Sequence, residues 1–201
     1  MTESQYLESV FAMLGQPESR HADPAAWETL ECELGVELPV DYKAIIDGYG
    51  PVKLNGHLNL DHPAAERWNL RQAMQRDALV WSEVPWEEIE LDTDPRPSLG
   101  ISDMKFGTPD GLIYAVGTNR DEAIFLGKGT GPQGWRVFVA RDDDFFEYPM
   151  PFAEWLYRYL VGEDMAGPNS SAFVPGPVMF ESLPMSANET VTAWYGPDRG
   201  M

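Results

Sequence analysis

Cys32 is the sole thiol of this chain, and a cysteine nucleophile needs both a neighbouring base and a field that favours the thiolate. Glu31 and Glu33 flank it, so its surroundings oppose that chemistry, and a residue on a helix surface is the simpler reading. His57, Asp61 and His62 form the one cluster with metal-ligand chemistry. Crowded onto a short strand and turn, they lack the ligand spacing of a structural zinc site, and turn or cap roles ahead of Pro63 are expected for Asp61 and His62. Asp92-x-Asp94 and Asp142-Asp143-Asp144 are rich in carboxylates but lack the central glycine and terminal glutamate of a calcium-binding EF-hand loop. Gly127, Gly129, Gly131 and Gly134 surround Lys128 without the Gly-Lys-Ser/Thr that opens the helix of a phosphate loop. No serine sits between glycines as in a hydrolase elbow. With no acid, base and nucleophile set in view, the expectation is a protein that is not an enzyme and uses no cofactor or metal.

The elements that carry these residues are legible from spacing. Tyr6, Leu7, Val10, Phe11 and Leu14 make a helical stripe over residues 3–14. Asp23 before Pro24 is a cap followed by a first-turn proline; Trp27, Leu30 and Leu34 share one face, and Gly35 ends that helix. Pro39 opens the next helix, striped by Tyr42, Ile45, Ile46 and Tyr49, with Gly50 expected as a left-handed terminator. Asn55-Gly56 lies between short alternating runs and predicts a hairpin over Val52 to Leu60. Pro63 is read as opening a helix to about Trp81; Trp68 and Leu79 fall on one side, Leu70, Met74 and Trp81 on another, which predicts a helix buried on two sides or bent.

Pro85 to Ser98 is rich in proline and carboxylate and reads as an exposed connection. Beyond Leu99 the period becomes that of strands, predicted at Ile101 to Phe106, Leu112 to Val116, Ala123 to Leu126 and Trp135 to Ala140 and joined by short turns, so antiparallel. Phe152 to Leu160 closes the set as a helix. Helices, then strands, then one helix predict an α+β fold with a mainly antiparallel sheet, with Trp27, Tyr42, Ile46, Tyr114 and Trp155 in its core. The chain divides into an N-terminal helix (1–22), a central domain (23–162) and a Pro/Gly-rich extension (163–201). Phe173, Val178, Phe180 and Trp194 predict that the extension wraps the domain, with an edge strand near Thr190 to Trp194.

The order Trp27, Glu31, Leu34-Gly35, Leu38-Pro39, Asp41-Tyr42-Lys43, Ile45-Ile46 and Tyr49-Gly50 resembles the opening signature of the SUKH superfamily. The segments Gly100 to Phe106, Gly111 to Val116, Trp135 to Ala140 and Phe152 to Leu160 extend that resemblance over about Asp23 to Gly162. The family includes many bacterial toxin-immunity proteins and eukaryotic cell-wall-synthesis regulators, and it has no shared catalytic constellation. The resemblance therefore implies a binding domain.

Charge points the same way. In 201 residues, 33 are acidic and 14 basic, a formal net charge of -19 that repels nucleic-acid phosphates and anionic lipid and attracts cationic proteins. No apolar run is long enough to span a membrane, and the first residues, with Glu3 and Glu8, do not resemble a secretion leader; one cysteine suits a reducing cytoplasm. The expected role is a cytoplasmic immunity protein that neutralises a basic toxin domain, nucleic acid being one target class of such toxins; the alternative is an intracellular regulatory or scaffold protein of the same fold. The expected contact surface comprises Glu87, Glu88, Glu90, Asp92, Asp94, Asp142, Asp143 and Asp144, with Trp86, Phe145 and Phe146 as aromatic anchors.

Overall fold

The computed structural model describes residues 1–120, 122–131, 134–142, 144–184 and 188–200. It is an α+β fold built on one antiparallel sheet. The helices are α1 (Glu3–Leu14), α2 (Pro24–Leu34), α3 (Val40–Tyr49), α4 (Leu70–Ser82), a short α5 (Arg96–Leu99) and α6 (Phe152–Leu160). The strands are β1 (Val52–Leu54), β2 (Leu58–Leu60), β3 (Leu112–Thr118), β4 (Ala123–Lys128), β5 (Trp135–Arg141), β6 (Asp144–Tyr148), β7 (Met179–Ser182) and β8 (Ala193–Tyr195). They lie in the order β6-β5-β4-β3-β2-β1-β7-β8.

Successive residues of a strand face opposite sides, so unbroken burial along Leu112–Val116 and Ala123–Gly127 requires cover on both faces. One cover is the mutually packed group α1, α3 and α6, where the Tyr42 and Phe152 rings meet edge to face 5.0 Å apart. The other is α4 with the chain that follows it, whose Trp81, Trp86 and Phe106 close an aromatic cluster over Phe125 of β4 and Phe145 of β6. Trp27, Tyr42, Ile46, Tyr114 and Trp155 are all buried, as expected.

Glu31, Asp41 and Tyr42 of the α2–α3 segment make internal contacts. Glu31 accepts from the Leu38 N–H at 2.8 Å and from Lys43 Nζ at 2.7 Å, fixing the turn from α2 to α3. Asp41, 2% exposed, accepts from the N–H of Tyr42 in α3 and, at 2.7 Å, from that of Ala153 in α6. The Tyr42 hydroxyl donates to the Ala115 carbonyl of β3.

The structure corrects six local expectations. Gly50 is extended (φ -73°) instead of left-handed; a Cβ there would lie 3.0 Å from the Ile46 carbonyl, so close approach explains the glycine. The helix expected from Pro63 begins at Leu70, because Asn69 caps it by accepting from Gln72 N–H while its amide donates to the Pro63 and Ala65 carbonyls. That helix is buried on one side only, since Leu79 and Val80 are exposed. Ile101 to Phe106 is not a strand: β2 and β4 already flank β3, and the segment makes only a bridge from Phe106 to Leu112. Asp144 to Phe146, outside the expected strands, belong to strand β6. The C-terminal extension supplies two strands where one was expected: β7 pairs with β1, and β8 forms the sheet edge slightly beyond the anticipated position.

Candidate functional site

The groups with catalytic or metal-binding chemistry are dispersed. Cys32 is exposed on α2. His62 is fully buried; its Nε2 donates to Asp47 Oδ1 at 3.0 Å, its Nδ1 accepts from the Ala64 N–H, and burial pushes the imidazole below its ordinary pKa against the pull of Asp47. His57 lies elsewhere, bonded through Nδ1 to the Asn119 side chain, with Nε2 3.7 Å from Glu122 Oε2 and its ring stacked on Tyr159. No group of three potential metal ligands is found among the described residues.

The acidic segments, by contrast, converge. Residues 83–95 leave α4 as irregular chain, held down where the Trp86 indole N–H donates to the Trp81 carbonyl. Arg141 and Asp142 turn the chain from β5 into β6, with Asp142 at φ 54°, a left-handed position that aspartate tolerates better than most residues. Just past this turn, Asp144 Oδ1 accepts from the N–H groups of Asp92 at 2.8 Å and Thr93 at 3.2 Å, and the Phe145 N–H reaches the Thr93 carbonyl. One carboxylate thus binds the two acidic segments into a single surface, although about fifty residues separate them.

Within that surface the carboxylates differ in availability. Glu87, Glu88, Glu90, Asp92 and Asp142 are exposed. Asp94 is half-buried and its carboxylate is engaged by Arg96, whose guanidinium hydrogen bonds hold it below the usual range. Glu147, at the adjoining edge of β6, pairs with Arg136 and accepts from Ser98 Oγ. Asp144 is spent on backbone. Asp143 lies outside the described residues.

The aromatic anchors need correction. Trp86 is 8% exposed and Phe145 2%, both inside the cluster with Trp81, Phe106 and Phe125, so neither presents a ring to a partner. They alternate with charged residues in sequence because the chain is pinned to the core between exposed carboxylates. Phe146 is half-buried and lines an open groove along β6 with Asp94, Glu147, Tyr148 and Asp164. The half-apolar Asp144–Tyr148 run carries the signal for β6, but Asp142 and Asp143 ahead of it make its start read as a turn.

Comparison of the chain with protein-family models, with curated proteins and with solved structures returns no match.

Proposed function

We propose that this chain is a SUKH-like binding protein that performs no catalysis: a cytoplasmic immunity protein whose acidic face neutralises a basic toxin domain. The observation that carries the reading is the joining of the 87–94 segment to the β5–β6 turn through Asp144, on a chain of net charge -19. A surface on which Glu87, Glu88, Glu90, Asp92 and Asp142 are exposed attracts a cationic partner over distance, speeds encounter and competes with the phosphates such a partner would otherwise engage. Since the two predicted indole and phenyl anchors are internal, recognition at this face is led by charge, with Phe146 as the accessible ring beside it. The signature residues of α2 and α3 support the fold, and specificity is left to these loops.

The test uses a basic toxin domain encoded beside this gene, with association followed by surface or stopped-flow kinetics across a range of salt. Asp92→Lys with Asp142→Lys should slow association by about tenfold or more at low salt and flatten the salt dependence, while leaving the melting temperature within a few degrees. Unchanged association, or a toxin that this protein fails to bind, would sink the reading.

A further inference from the structure

Asn59 in β2 and Asp61 just beyond it are two residues apart along extended chain, so their side chains leave the backbone on the same side. Asn59 Oδ1 and Asp61 Oδ1 are both shut off from solvent, and neither has a hydrogen-bond partner. Asp61 as a whole is 9% exposed. Buried acceptors are nearly always paired, because leaving one unpaired is costly and more so when it is charged. The residues Asn59 and Asp61 line a cavity of about 210 Å³ completed by Trp68, Asn69, Gln72, Ala73, Arg76 and Tyr114.

The chemistry of that wall selects its occupant. An anion would meet the carboxylate, and an apolar molecule would leave both oxygens unsatisfied. A metal ion would find a single carboxylate beside the amides of Asn59, Asn69 and Gln72, with no imidazole or thiolate, and Trp68, Ala73, Arg76 and Tyr114 make up the rest of the wall. A compact cation with several N–H donors suits both acceptors and places its charge beside two aromatic rings. We propose that this cavity binds a guanidinium or primary ammonium group, with Asp61 as its charge partner, Asn59 as a second acceptor and Trp68 and Tyr114 flanking the cation.

The internal cation is shared: Arg76 lines the cavity and its charge acts on Asp61, but its guanidinium pairs with Asp77 at 2.9 Å and no hydrogen bond joins it to Asp61 Oδ1. Burial pushes the Asp61 carboxyl up to about 6, opposed by the charge of Arg76 and reinforced by that of Asp77. The phenols packed nearby, Tyr42 and Tyr114, are both held well above their ordinary value by burial and so are neutral. A bound cation would favour the ionised carboxylate, so binding should release protons near pH 6. The cavity is separate from the acidic loops and stands whether or not they bind a toxin.

The test titrates full-length protein calorimetrically at pH 7.5 with agmatine, with N-acetyl-argininamide, and with N-acetyl-citrullinamide, in which a neutral urea replaces the guanidinium. At least one of the two cations should bind and, at tenfold excess over its dissociation constant, raise the melting temperature by about 3–6 °C. The citrulline compound should bind at least tenfold more weakly. Affinity for the cation should fall by about tenfold between pH 7.5 and pH 5, as the carboxyl takes up its proton. Asp61→Asn, which preserves shape, should lower affinity at least tenfold, and Arg76→Gln, on the exposed side of α4, should raise it by removing a competing charge. Binding of N-acetyl-argininamide would identify an arginine side chain as the source, and binding of agmatine alone a free amine. Failure of both cations, equal binding of the citrulline compound, or an Asp61→Asn protein that binds as well as the parent would overturn the site.

Discussion

Asp144 and Phe145 are neighbours with opposite consequences for mutation. Asp144 holds two backbone N–H groups of the 92–93 segment, so Asp144→Ala should cost about 1–3 kcal/mol in urea unfolding and loosen that loop, in contrast with Asp142, whose side chain is 90% exposed and whose replacement should be nearly neutral. Phe145→Ala removes a ring from the aromatic cluster and should cost about 3–5 kcal/mol in the free protein, whatever it does to binding. A ring that served only as an anchor would leave the urea midpoint unmoved. Asp61 gives a pH signature. Its folded-state carboxyl titrates at about 6, above the ordinary 3.8, so the folded protein holds that proton more tightly than the unfolded chain and stability falls as pH rises from about 4 to about 6. Asp61→Asn should therefore be more stable than the parent at pH 7 by an amount of order 1–3 kcal/mol, with the difference closing below pH 4. Equal pH profiles for the two proteins would show that the carboxyl is not burdened by burial.

At the scale of elements, Asp41 joins two helices that no local rule connects. Its carboxylate accepts from N–H groups near the starts of both α3 and α6, which places a negative charge where helix N-termini favour one and satisfies donors that would otherwise be orphaned in the core. Asp41→Ala should cost about 2–4 kcal/mol, and amide exchange should show the first turn of α6 losing protection along with that of α3. Loss confined to α3 would mean that the link to Ala153 carries little. Helix positions in this chain are largely legible because caps and stripes are local: Asp23 and Gly35 act as their types predict. The start of α4 was misread because Pro63 and Asn69 are both plausible openings. The choice fell to Asn69, whose side chain closes the preceding turn onto the Pro63 and Ala65 carbonyls. The strand expected at Ile101 to Phe106 failed for a different reason, since its alternating apolar residues pack as cover over the sheet while both flanks of β3 are taken.

Over the whole molecule, charge and apolar pattern were fixed by composition and spacing. The excess of carboxylates, the amphipathic stripes, the Asn55-Gly56 turn and the aromatic content of the last forty residues follow from residue types alone, because propensity, capping and burial act on neighbours in sequence. They sufficed for an α+β fold with an antiparallel sheet and for a buried set that includes Trp27, Tyr42 and Trp155. Tertiary structure decided which distant segments meet. It paired β7 with β1, so that the C-terminal extension completes the sheet, and it drew Trp86 and Phe145 inward while leaving their acidic neighbours outside. It also enclosed Asp61 and Asn59 beside Trp68 and Tyr114. Those outcomes depend on pairings across fifty residues or more, where many arrangements satisfy the same local rules and packing the core selects among them.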